Sequence, residues 1–188
     1  MTKKLYSLLL TAMMTLTATL FTSCDQDTQI GLTLEGIWRG NMYVYTMWNG
    51  NRYNVTDTEI TFQCNDFHWT RGTGYWVDYY SNAPWDYVAN HIEWQVSGGE
   101  IRIYFREEGT EVLIRSYRLN DNRFQGTLLD NGQEVDFNLY HVASPRRSYD
   151  RWGYDGWTYY RSRQAKGTAA DSTATGVPPE APVRRFGW

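Results

Sequence analysis

Residues 91–105 read His91, Ile92, Glu93, Trp94, Gln95, Val96, Ser97, Gly98, Gly99, Glu100, Ile101, Arg102, Ile103, Tyr104, Phe105. Apolar and polar side chains alternate on both sides of Ser97-Gly98-Gly99. A period of two places Ile92, Trp94 and Val96 on one face and His91, Glu93 and Gln95 on the other, which is the pattern of a half-buried strand. Glycines tolerate positive φ, so Gly98-Gly99 closes the two runs as a hairpin. The same unit recurs outward. Asn49-Gly50, Glu108-Gly109, Asn120-Asp121-Asn122 and Asp130-Asn131-Gly132 punctuate alternating runs from Leu34 to Val142, while Gly72-Thr73-Gly74 reads as a further turn. Ile101, Ile103 and Phe105 share an inward parity, as do Phe124 with Leu128, and Val135, Phe137 and Leu139. No segment carries a helical period long enough for a crossover helix. Roughly eight to ten antiparallel neighbours joined by short turns form most economically an all-β, up-and-down meander closed as a small barrel, with a β-sandwich as the alternative.

Composition agrees. Of 188 residues, 9 are Trp, 15 Tyr and 7 Phe, so aromatic rings fill much of the core. Such side chains suit a pleated surface and argue against a helical bundle. The net charge of −3 excludes a uniformly basic nucleic-acid binder. The charge is divided unevenly: residues 25–143 hold 8 Arg against 17 Asp and Glu, whereas 144–188 hold 8 Arg and Lys against 4.

The first residues are an address. Lys3 and Lys4 precede an apolar run from Leu5 to Phe21 that four threonines dilute below what a spanning helix needs. Leu20-Phe21-Thr22-Ser23-Cys24 resembles a bacterial lipobox, with Phe21 in place of the usual Leu. The resemblance implies cleavage before Cys24, lipid on that residue, and a membrane partner in the cell envelope, at the outer membrane. Asp25-Gln26-Asp27 is similar to the acidic export signals of Bacteroidetes surface lipoproteins; the plain alternative is a solvated tether. With Cys24 acylated, only Cys64 remains, so no intramolecular disulfide can form. Cys64 shares the parity of Ile60 and Phe62 and reads as a small core residue.

Leu34-Glu35-Gly36-Ile37-Trp38-Arg39-Gly40, opening the first run, resembles the Gly-x-Trp signature at the head of lipocalins, and the strand spacing is similar to small lipocalin-like lipoproteins of Bacteroidetes. The resemblance implies that Gly36 and Trp38 close one end of the barrel. It further implies an Arg packed over the Trp near the end of the last strand; 135–142 contains none, and Arg146 lies beyond. On strict alternation Arg115 points inward with Leu113, Tyr117 and Leu119. Arg115-Ser116-Tyr117 is similar to the Arg-x-Tyr pair that holds a carboxylate in intracellular fatty-acid-binding proteins, which implies Arg115 and Tyr117 as ligand contacts; Trp69 and Trp94, on neighbouring inward faces, would then line the same cavity. A bulge that turns Val112 and Ile114 inward instead, or a structural ion pair, is the alternative.

The organisation is therefore a signal peptide over 1–23, a lipidated tether over 24–33, a barrel over 34–143 and a tail over 144–188. The tail interleaves aromatic residues and Arg from Tyr149 to Arg163 and then turns to low-complexity, disordered sequence. Asp171-Ser172-Thr173 resembles a short O-glycan acceptor, which nominates Ser172. His68, His91 and His141 fall on wet parities in three strands, with no metal-ligand spacing, catalytic motif or cofactor loop among them. Three functions are compatible: a lipid-anchored, non-enzymatic binder of a small hydrophobic or amphipathic ligand; a surface module binding a protein or glycan through its tail or outer face; and a small hydrolase using two facing carboxylates.

Overall fold

The computed structural model describes residues 26–144, 160–162 and 182–187. Eight antiparallel strands close into a barrel: β1 (Gly36–Asn41), β4 (Asp57–Asn65), β5 (His68–Tyr79), β6 (Trp85–Ser97), β7 (Glu100–Phe105), β8 (Thr110–Leu119), β9 (Arg123–Asp130) and β10 (Gln133–Ala143). Closure comes from two pairings, β1 with β10 and β6 with β7. The expected inward residues Ile92, Trp94, Val96, Ile101, Ile103, Phe105, Phe124, Leu128, Val135, Phe137 and Leu139 are all buried.

The hairpins use the turn chemistry read from the sequence. Asn49-Gly50 has φ of 48° and 76°, and Asn131-Gly132 has φ of 47° and 85°, a pair of left-handed residues that matches the strand twist. Gly72-Thr73-Gly74 is not a turn. It lies within β5, where Gly74 faces Phe62, and a Cβ on Gly74 would fall 1.7 Å from the Thr61 carbonyl oxygen. These glycines let two backbones approach closely.

The meander makes one excursion. After β1 the chain turns at Met42 and Tyr43, and β2 (Val44–Trp48) and β3 (Asn51–Asn54) leave the barrel as a hairpin, so that β1 pairs with β4. Near the end of the chain β12 (Val183–Phe186) adds to β2, giving the order β12-β2-β3. This small sheet covers the barrel end that carries the 105–110 and 130–133 turns. Tyr80, Ala83, Trp85 and Val88 pack beneath its Trp48 and Tyr53. β11 (Tyr160–Ser162) borders β6. The expectation of disorder throughout 164–188 is therefore corrected for 182–187, which is ordered on the barrel; the rest of that stretch lies outside the described residues.

A helix, α1, spans 26–34 and covers the opposite end. The stretch expected as a tether is thus folded from residue 26. Ile30 and Leu34 pack on the core, and Asp27 accepts the backbone N–H groups of Gly98 and Gly99, each at 2.8 Å. Asp27, read as part of an export signal, here ties α1 to the 97–100 turn. Asp27→Ala is expected to cost about 1–2 kcal/mol, the loss of charge-assisted bonds to two turn amides. A urea melt reads this directly.

Candidate binding site

Trp38, which the resemblance names as a barrel-closing ring, lies at the α1 end. It is buried, its indole Nε1 donates to the Leu34 carbonyl at 2.8 Å, and its ring meets Phe124 edge-on at 5.8 Å. Where the resemblance implied an Arg, His141 stands: it is the β10 partner of Trp38, and the rings are 5.0 Å apart. Gly36 is required there, because a Cβ would come within 2.6 Å of the His141 ring. His91 is not on open surface either, since its Nδ1 pairs with the buried Glu107 carboxylate, whose second oxygen accepts the His91 backbone N–H at 2.8 Å.

The four proposed ligand contacts separate. Arg115 does not point inward. Its side chain is 43% exposed, and its guanidinium donates to Glu134 at 2.9 Å on the outside of the barrel. Val112 and Ile114 are the buried residues of β8, and the register with β9 slips between Arg115 and Arg118, with Ser116 at φ 53°. That bulge resets the alternation and overturns the inward reading of Arg115. It also turns Tyr117 inward, edge-on to Phe124 at 5.7 Å. Gly126 leaves the room, since a Cβ there would lie 2.5 Å from the Tyr117 Cβ. Trp94 is buried against Phe62, its Nε1 donating to the Thr73 carbonyl at 3.1 Å. Trp69 is 44% exposed and lines no interior space with Trp94. Cys24 and Ser172, and most of the aromatic tail, lie outside the described residues.

The interior is packed with rings: Trp38, Phe62, Trp76, Trp94, Phe105, Phe124 and Phe137 are all buried. One polar defect interrupts the α1 end. The Tyr117 hydroxyl is buried and has no hydrogen-bond partner among the described residues. Burial, with the charge of Asp27 adding to it, pushes this hydroxyl up to about 12, and burial pushes the Cys64 thiol up to about 12 as well. Cys64 Sγ, half-buried at the edge of the core, is 3.7 Å from the Gly31 carbonyl and 3.8 Å from that of Trp69.

Both protons are held more tightly in the fold than in the unfolded chain, where the groups titrate near ~8.5 and ~10. Their contribution to stability is therefore complete below pH ~8.5 and is lost as pH rises toward about 12. Tyr117→Phe is expected to flatten the decline above pH ~10 and, at neutral pH, to raise stability by about 1 kcal/mol by removing an unpaired hydroxyl. Denaturation midpoints across a pH series measure both effects.

At the other end, sequence reasoning missed a buried polar box. Asp78, Asn90, Thr58 and Arg184 are all buried. The Arg184 guanidinium uses all three nitrogens: Nε donates to Asp78 at 2.6 Å, Nη1 to Glu108 at 3.0 Å and Nη2 to Asn90 at 2.7 Å. Its plane lies over Phe105 at 4.5 Å. The second oxygen of Asp78 accepts from Thr58 at 2.7 Å and from Trp76 Nε1 at 2.9 Å. Burial alone would lower the guanidinium pKa, but the charges of Asp78 and Glu108 outweigh it and raise it; burial raises the Glu108 carboxyl against the pull of Arg184. One sequence signal for this box existed. Asp78 shares the parity of Trp76, a carboxylate on an apolar face that calls for a cation.

Grooves of about 470 and 250 Å³ lie on the outer face of β5–β6, lined by Arg71, Glu93, Arg102 and Glu111 in the larger and by Tyr75, His91 and Arg106 in the smaller. Among the described residues, no three His, Cys, Asp or Glu side chains gather to hold a metal ion.

Residues 34–126 match the family model of the lipocalin-like domain. The match begins just before Gly36 and ends within β9, and the barrel it covers is lipocalin-like in fold. No curated protein and no solved structure matches the chain. A lipocalin-like barrel suggests small-ligand binding.

Proposed function

We propose that the chain is an exported lipoprotein, anchored through lipid on Cys24 in the outer membrane of a Bacteroidetes envelope, whose barrel binds a small amphipathic ligand and catalyses nothing. The ligand enters at the α1 end. The observation that carries this reading is the Tyr117 hydroxyl, buried in an aromatic interior and without a hydrogen-bond partner among the described residues. An unsatisfied polar group in such a place costs free energy that a ligand's polar head would recover. Trp94, at the same end, supplies an apolar wall. Ile30 and Leu34 of α1 fill the space above, so binding exchanges two aliphatic side chains for the ligand's apolar part, with α1 swinging on the bonds of Asp27.

With Arg115 outside, nothing here selects an anion, and the panel of ligands spans anionic, neutral and cationic amphiphiles. Titration into the full chain, followed by tryptophan fluorescence, should saturate for one class. Tyr117→Phe should weaken that binding about 5- to 10-fold, the loss of one hydrogen bond of about 1–1.5 kcal/mol. Saturation unchanged in Tyr117→Phe would remove the site, and no saturation by any class would remove the function.

A further inference from the structure

The β4–β5 turn breaks two local rules at once. Phe67 at its tip has φ 67°, a left-handed conformation in which bulky side chains are rare, and its ring is 92% exposed. An Asn or Gly would sit there without strain, and among the described residues the ring is left almost wholly exposed, with no packing to compensate. Violations of this kind mark function rather than folding. Two further exposed apolar side chains lie at the same end of the barrel. Trp69 is 44% exposed, and Leu32, on α1, is 41% exposed. They form one rim, because α1 lies directly on β5: a Cβ on Gly31 would fall 1.8 Å from the Trp69 carbonyl oxygen, and Cys64 bridges the two elements.

The rim lies at the α1 end of the barrel, where the described chain begins. α1 begins at residue 26, one residue after the pair Cys24-Asp25. Fewer than three residues of extended chain span under about 10 Å. Lipid on Cys24 would therefore hold this end, and not the β12 end, against the bilayer. Aromatic side chains partition into the headgroup region, and a short apolar rim beside an acyl anchor supplies a second membrane contact.

We propose that Phe67, Trp69 and Leu32 form a membrane-docking rim that seats the barrel with its α1 end in the headgroup layer. The inference rests on the lipid anchor proposed above. It assigns the bilayer as the occupant of this face and makes the bilayer the source from which an amphipathic ligand reaches the α1 end.

The test uses the full lipidated chain on phosphatidylcholine vesicles. Phe67→Cys and, at the far end, Asn131→Cys, each in a Cys64→Ser background, are labelled with a polarity-sensitive dye, so that with Cys24 lipidated the new thiol is the reactive one. Emission at position 67 should shift to the blue and be quenched by headgroup-depth spin labels, while position 131 stays in water. In the unlabelled chain, brominated phosphatidylcholine should quench a share of tryptophan emission that Trp69→Phe removes and Trp48→Phe leaves in place. A chain that floats with the vesicles but shows the same aqueous emission at both positions and unchanged quenching in Trp69→Phe overturns the rim alone. A chain that does not float overturns the anchor, and the rim with it.

Discussion

Replacing Arg184 with Ala should lower the stability of the chain by about 3–5 kcal/mol, the cost of leaving a buried carboxylate pair without its cation. Among the described residues Arg184 is the cation that pairs with both Asp78 and Glu108 inside the β12 end, and Asp78 has no exposure to water. Arg184→Lys should recover only part of the loss, because an ammonium cannot reach Asp78, Glu108 and Asn90 together as a planar fork does. Arg185→Ala, one residue on and exposed, should change stability by no more than about 0.5 kcal/mol. The structure also reverses an expectation from sequence. The Gly-, Ala-, Thr- and Pro-rich composition beyond Arg163 implies that truncation there is harmless, yet it removes Arg184 together with Phe186, which packs edge-on to Trp76 at 5.8 Å. It should cost at least as much as Arg184→Ala. Urea denaturation of the three variants and the truncation, followed by far-ultraviolet circular dichroism, measures the series.

The second large effect belongs to Trp38→Ala, expected at about 3–5 kcal/mol. A fully buried indole is lost from the α1 end, along with its contacts to Phe124 and His141 and its bond to the last turn of α1. Trp38→Phe keeps much of the volume and should cost about 1–2 kcal/mol, chiefly through the Leu34 carbonyl it leaves unpaired. A change below about 1 kcal/mol for Trp38→Ala would mean that this ring does not close the barrel.

The barrel was legible because its cause is local. Each of the runs around 91–105 carries its own alternation and its own turn residues, and such hairpins declare themselves within about 15 residues. What stayed hidden depends on partners far along the chain. Val183-Arg184-Arg185-Phe186 is too short and too charged to read as a strand; its inward charge makes sense only once Asp78, Asn90 and Glu108 stand around it, between 76 and 106 residues away. The departure of β2 and β3 from the barrel follows from a left-handed Tyr43, a position that no residue type announces. Arg115 was misplaced for a related reason, since strict alternation holds only until a bulge resets it, and Ser116 carries no sequence mark of its φ of 53°. Alternation placed Trp94 inside, while Tyr117 reaches the interior by way of the same bulge that turns Arg115 out.

The central claim is that a small amphipathic molecule occupies the α1 end of the barrel beside Tyr117. Native mass spectrometry of the lipidated chain, extracted from membranes in mild detergent, tests it most directly. The account predicts a species heavier than the lipidated chain by one small molecule, released on acid denaturation and depleted in Tyr117→Phe. A single species at the mass of the lipidated chain alone, unchanged after incubation with anionic, neutral and cationic amphiphiles, would contradict it.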